Sequence, residues 1–141
     1  MIPSNRSPQE RPSHKELAKK IRECRRLVDS DRWLPANLAK LRADFDELEA
    51  VLGLETTLQE DQKRILLAAI GEITPAHYAG LRPPQRSYEP AIRDRELLAF
   101  RWTSTFFAGH EMYFKFCLKG ADKDQRAYIC SVHEHRENQD D

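Results

Sequence analysis

The sequence has no net charge, no long apolar run and no paired set of cysteines, and each shortfall argues against a class of protein. Lys+Arg and Asp+Glu stand at 23 each, which argues against a strong, diffuse nucleic-acid binder. No stretch approaches the ~20 apolar residues of a membrane span, and the N-terminus lacks the apolar core of a signal peptide. The cysteines are Cys24, Cys117 and Cys130. An odd count without CxxC spacing argues against a disulfide framework or a zinc site. The expectation is a cytoplasmic protein with no membrane partner, no metal and no cofactor. There are no internal repeats and no low-complexity tract.

What is present suits one domain. A chain of 141 residues can bury about two-thirds of its unfolded surface, so it needs no metal or disulfide to fold. The neutral total hides segregation. Arg11 to Arg42 carries a balance of +6, Ala43 to Leu81 one of −6, and Arg82 to Arg136 one of +3, followed by an acidic tail over 137–141.

Residues 1–12, with three prolines and several polar side chains, predict a disordered arm. A single α+β domain follows over 13–136, helical over 13–80 and sheet-forming over 91–136. Ser13 and Glu16 have capping-box spacing. Leu17, Ile21, Cys24, Leu27 and Val28 then recur at helical period, with Lys19, Lys20, Arg22, Arg25 and Arg26 on the opposite side. This predicts an amphipathic helix with a basic outer face, broken at Asp29-Ser30-Asp31. Pro35 suits the first turn of a second helix, whose stripe of Leu38, Leu41, Phe45, Leu48 and Leu52 reads as a core face and stops at Gly53. A second capping box, Thr57 with Glu60, precedes Ile65, Leu66, Ala69 and Ile70, with a stop at Gly71. Thr74-Pro75 suits a short turn through Tyr78, and His77 and Tyr78 read as capping or core residues. Three prolines between Arg82 and Pro90 predict a loop.

Beyond that loop the hydrophobic period changes from helical to two. Leu97 to Trp102, Met112 to Leu118 and Ala127 to His133 read as three strands joined by glycine-containing turns, hence a small twisted antiparallel meander. Alternation puts Leu98, Phe100, Trp102, Met112, Phe114, Phe116 and Leu118 against the helices. In the last strand it groups Tyr128, Cys130 and Val132 on the more apolar face, with Ala127, Ile129, Ser131 and His133 opposite. Cys117 and Cys130 then fall on opposite faces and should stay unbridged, unless a bulge intervenes. An open face is left with Arg101, Tyr113, Lys115, Ser131 and His133. An imidazole can exchange a proton near neutral pH, and the two cations can stabilise charge growing on phosphate oxygens. The other reading of this face is the solvated side of a half-buried sheet.

Glu111-Met112-Tyr113-Phe114-Lys115-Phe116, followed by Tyr128-Ile129-Cys130-Ser131-Val132-His133-Glu134, resembles the C-terminal strands of MqsR-type (motility quorum-sensing regulator) toxins. In that family one strand reads VYLKI and the last VSFKEK. Leu52-Gly53-Leu54 through Ile73-Thr74-Pro75-Ala76-His77-Tyr78 is similar to the family's helical part, and the likeness spans about two-thirds of the chain, Leu48 to Arg136.

The resemblance implies a RelE-like fold and a toxin of a toxin–antitoxin system, an endoribonuclease that cleaves free or ribosome-associated mRNA and is neutralised by a protein antitoxin. Tyr113 matches the family's strand tyrosine. His133 stands where the family has lysine, which keeps a proton-transfer group but changes its charge at pH 7. The family's other lysine, before the sheet, has no counterpart near His77, and the long basic first helix is extra. On this reading cleavage is metal-independent. His133 serves as general acid or base, Tyr113 positions or deprotonates the attacking 2′-hydroxyl, and Lys115 and Arg101 stabilise the phosphorane-like transition state. The rival expectation is a non-catalytic RNA- or protein-binding regulatory module.

Overall fold

The computed structural model describes residues 12–53, 59–80, 89–93 and 95–135, with 52, 59 and 60 described by backbone alone. The expected disordered arm, apart from Pro12, lies outside these residues. So do the Thr57–Glu60 capping box, the part of the proline loop before Glu89, and the acidic tail.

Ser13 opens the first helix as its spacing requires. Its Oγ accepts from the Glu16 N–H at 3.1 Å, satisfying a donor that has no partner inside the helix. Helix α1 runs His14–Asp29 and buries Leu17, Cys24, Leu27 and Val28. It ends at Ser30, and Asp31 turns left-handed with φ 60.

Pro35 does not begin the second helix. It closes a three-residue strand, β1 (Trp33–Pro35), which is too short to show a period of two in the sequence. Asn37 is the actual cap, its Oδ1 accepting from the Lys40 N–H at 3.0 Å. Helix α2 runs Leu38–Leu52 and stops at Gly53, whose φ of 67 suits glycine. Leu41, Phe45 and Leu48 are buried, whereas Leu38 is exposed. Helix α3 runs Gln59–Glu72, one residue past the expected stop at Gly71, and buries Ile65, Leu66, Ala69 and Ile70. A 3-10 turn at Pro75–His77 follows. The Thr74 N–H donates to His77 Nδ1 at 3.0 Å, so His77 is a cap. Tyr78 is buried edge-on against Phe100, with ring centroids 5.8 Å apart.

Strands β2 (Leu98–Thr103), β3 (Glu111–Lys119) and β4 (Arg126–Glu134) are the expected antiparallel meander. β1 adds a parallel strand to the outer side of β4, so the sheet is mixed, in the order β1-β4-β3-β2. The class is α+β, with the helices N-terminal to the meander. One core forms between the helices and one sheet face, where Leu98, Phe100, Trp102, Met112, Phe114 and Phe116 meet the buried residues of α1, α2 and α3. Burying each such side chain stabilises by about 1.5–3 kcal/mol. No helix among the described residues is long and apolar enough to cross a membrane.

Glu72 ties α3 to the connection after β2. Its carboxylate accepts from Trp102 Nε1 at 3.0 Å, from Ser104 Oγ, and from the Thr105 and Phe106 N–H groups at 3.0 and 3.1 Å. Burial pushes the Glu72 carboxyl up, but these hydrogen bonds outweigh it, and the net is below the ordinary range. A depressed carboxyl stabilises the fold above its unfolded value, about 4.3, and that contribution is lost as pH falls through the folded value. Glu72→Gln is therefore expected to cost about 2 kcal/mol at pH 7, measured by urea denaturation. The gap to wild type should shrink as pH falls from 7 to about 3 and the depressed carboxyl takes up a proton. A gap of equal size at both pH values would mean that the charge contributes nothing.

Candidate functional site

The site is built by strand register. β2 pairs Arg101 with Tyr113, and β3 pairs Tyr113 with His133, so the three form one row across three strands. The next row is Ala99, Lys115 and Ser131. Residues directly opposite one another project from the same sheet face. The Tyr113 and His133 rings stack at 5.4 Å between centroids and 24° between planes. Lys115 Nζ lies 5.9 Å from the Tyr113 ring centroid, within the ~6 Å reach of a cation–π contact. Every residue expected at the site is thus adjacent to another.

A bulge makes this possible. The register steps from Lys115↔Ser131 to Phe116↔Ile129, leaving Cys130 as an extra residue. Simple alternation therefore fails in the first half of β4. Ala127 and Ile129 join Val132 in the helix-side core, not the opposite face. Tyr128 and Cys130 lie instead with Cys117, Leu97 and Ile92 in a second, smaller apolar cluster. So Cys117 and Cys130 share a face, contrary to expectation. Both are still free thiols, as is Cys24.

The face is not open. Exposure is 2 % for Tyr113, 6 % for Lys115, 0 % for Ser131 and 1 % for His133, and only Arg101 is exposed. At the Cys117 end, Ala91 and Ile92 pack on it, and Lys119 Nζ donates to the Ala91 carbonyl at 2.7 Å. The polar pattern that reads as a solvated or reactive surface is therefore a buried layer.

Burial constrains the chemistry of each group. His133 Nδ1 lies 2.7 Å from the Glu134 carbonyl. A carbonyl only accepts, so Nδ1 carries a proton and donates it to this bond. Ser131 Oγ has no hydrogen-bond partner among the described residues. On the outer side of β4, beyond the reach of β1, Asp44 of α2 is buried and its Oδ2 accepts from the Val132 N–H at 3.1 Å. Burial raises the Cys130 thiol to about 11, against the pull of Lys115 and Lys40. Burial and then Cys130 raise Cys117 to about 12.

A polar rim that the sequence did not single out closes the end of the row. Arg101 Nε pairs with a Glu111 carboxylate oxygen at 3.0 Å, and its Nη1 lies 3.3 Å from His135 Nε2. His110 Nδ1 contacts the Glu134 carboxylate. The signal was the alternation His133-Glu134-His135 at the end of a strand, but only the register brings Glu111 and His110 to it. Among the described residues no group of three or more His, Cys, Asp or Glu side chains is arranged to hold a metal ion. Comparison with protein-family models, curated proteins and solved structures finds no match for the chain.

Thiols with raised pKa values inside an apolar cluster react slowly. All three cysteines are expected to resist iodoacetamide in the folded protein at pH 7.5 and to alkylate fully in denaturant without reductant. A crosslinked Cys117–Cys130 peptide as the main species in the unreduced digest would overturn this.

Proposed function

We propose that this chain is a metal-independent endoribonuclease of the toxin–antitoxin kind, acting on mRNA from the Arg101–Tyr113–His133 row. The observation that carries the reading is that register pairing and a stacked contact join Tyr113 to His133, the two residues that match functional positions in the MqsR-type pattern. Lys115 and Arg101 adjoin Tyr113 on the same face.

In the proposed reaction His133 Nε2 takes the proton of a ribose 2′-hydroxyl while Tyr113 orients that oxygen. The 2′-oxygen forms a bond to phosphorus, and the bond from phosphorus to the 5′-oxygen breaks. The leaving oxygen takes a proton from the protonated imidazole, giving a 2′,3′-cyclic phosphate and a 5′-hydroxyl. Lys115 and Arg101 stabilise the charge that grows on the non-bridging oxygens. The protein partner of this reading is an antitoxin, and the substrate is mRNA, free or on the ribosome.

A second reading, a non-catalytic RNA- or protein-binding module, is favoured by a different observation. Tyr113, Lys115 and His133 are buried, and Arg101 is held by Glu111. On that reading the row is a polar core layer.

Cleavage of a defined single-stranded RNA, with and without ribosomes, separates the two. His133→Gln should slow cleavage by about 10²- to 10⁴-fold, the usual worth of a proton-transfer group, and Lys115→Met should slow it as well. Chelators should have no effect. Because both side chains are buried, each variant is melted alongside, and a loss of cleavage counts only where the protein remains folded at the assay temperature. Wild-type protein that cuts no RNA under either condition would favour the binding module, and a His133→Gln enzyme as fast as wild type would remove the row from the mechanism.

A further inference from the structure

We infer that the outer face of α1 is a binding surface for a single-stranded RNA backbone, separate from the Arg101–Tyr113–His133 row. The choice of RNA as the polyanion rests on the function proposed above. Lys15, Lys19, Arg22 and Arg26 lie on one side of the helix at spacings of four, three and four residues, and all four are exposed. At 1.5 Å per residue they form a straight stripe about 16 Å long, with Arg25 exposed beside it.

These cations are not balanced locally. Lys63 and Arg64 on α3 and Arg101 on β2 each sit on a carboxylate. Among the described residues Lys15, Lys19, Arg22 and Arg25 form no ion pair. Of the helix's acids, Glu16 and Glu23 are half-buried and only Asp29, in the last turn, is exposed. Glu23 is also a hydrogen-bond acceptor for Gln125 Nε2 at 3.4 Å.

The absence of apolar surface argues for a nucleic acid over an acidic protein. The exposed large hydrophobics among the described residues are Leu34, Leu38 and Phe106, none of them on α1. A stable protein interface has an apolar centre, whereas a phosphate backbone is held by cations alone through counterion release. α1 packs on the helix side of the sheet through Leu17, Cys24, Leu27 and Val28, so its basic face points away from both sheet faces. The surface therefore acts as an anchor for RNA and takes no part in the bond-breaking step. It also accounts for binding by a chain with no net charge: α1 carries six cations against three acids.

The test is fluorescence anisotropy with a labelled 2′-O-methyl RNA of about 20 nucleotides, which cannot be cleaved, titrated across about 50–300 mM salt. The Lys15→Gln/Lys19→Gln/Arg22→Gln variant is expected to bind about tenfold more weakly near 0.1 M salt, and its salt slope should flatten by about 2, at ~0.7 per phosphate contact on a single strand. Lys63→Gln, which removes a paired cation, should bind as wild type does. Unchanged affinity and slope in the triple variant would overturn the inference, as would polyglutamate competing as well as RNA of equal charge, which would make the partner an acidic protein. If wild type cuts no RNA but the triple variant loses affinity, the anchor stands and the nuclease reading falls. If wild type cuts and the triple variant binds normally, the anchor alone falls.

Discussion

The extra residue at Cys130 sets the facing of β4, and the rest of the sheet depends on it. A strand without a bulge sends residues two apart to the same side. With one residue inserted against β3, Ala127 and Ile129 reach the helices on one side of the insertion, and Val132 reaches them on the other. Ser131 and His133 are then delivered opposite Lys115 and Tyr113. Slipping the register by one would put His133 into the apolar core beside Phe114 and Phe116, an expensive burial for an imidazole. The bulge therefore reconciles an apolar helix-side layer with a polar row on the far side.

Two carboxylates hold the ends of this arrangement. Asp44, on α2, takes the Val132 N–H on the side of β4 that β1 is too short to cover. Glu72, at the end of α3, gathers two side-chain donors and two backbone N–H groups from the start of the β2–β3 connection. Each joins a helix to backbone that would otherwise lack a partner, and a hydrogen bond to a charged group is worth about 1.5–3 kcal/mol. The helices are thus fastened to the sheet by directional contacts as well as by the apolar layer, and this keeps the Arg101–Tyr113–His133 row in register.

The two sides of the molecule differ in how charge is handled. On the far face of the sheet, Lys115 lies over the Tyr113 ring, and Arg101 rests on Glu111. On α1, Lys15, Lys19, Arg22 and Arg25 are exposed and, among the described residues, form no ion pair. Exposed charges of one sign repel, at a cost of a few tenths of a kcal/mol per like pair on a helix. The chain tolerates this on α1.

The helices and the meander were legible in the sequence because each has a local cause. Ser13 and Gly53 mark helix ends through their own backbone and side-chain preferences, and the apolar period of two over Leu97 to Trp102 and Met112 to Leu118 requires only that one side be buried. That Arg101, Tyr113 and Lys115 share one sheet face was readable for the same reason, since alternation on β2 and β3 is regular, and His133 joins them by pairing with Tyr113. Tertiary structure alone decided the rest. β1 exists because β4 offers it an edge, and three residues carry no periodic trace of that. The bulge at Cys130 depends on fitting Ile129 and Val132 into the same core, a demand made by helices far away in sequence. Whether Tyr113, Lys115, Ser131 and His133 meet water depends on what lies over them, and a strand's own pattern of polar residues is the same whether its outer face is solvated or covered.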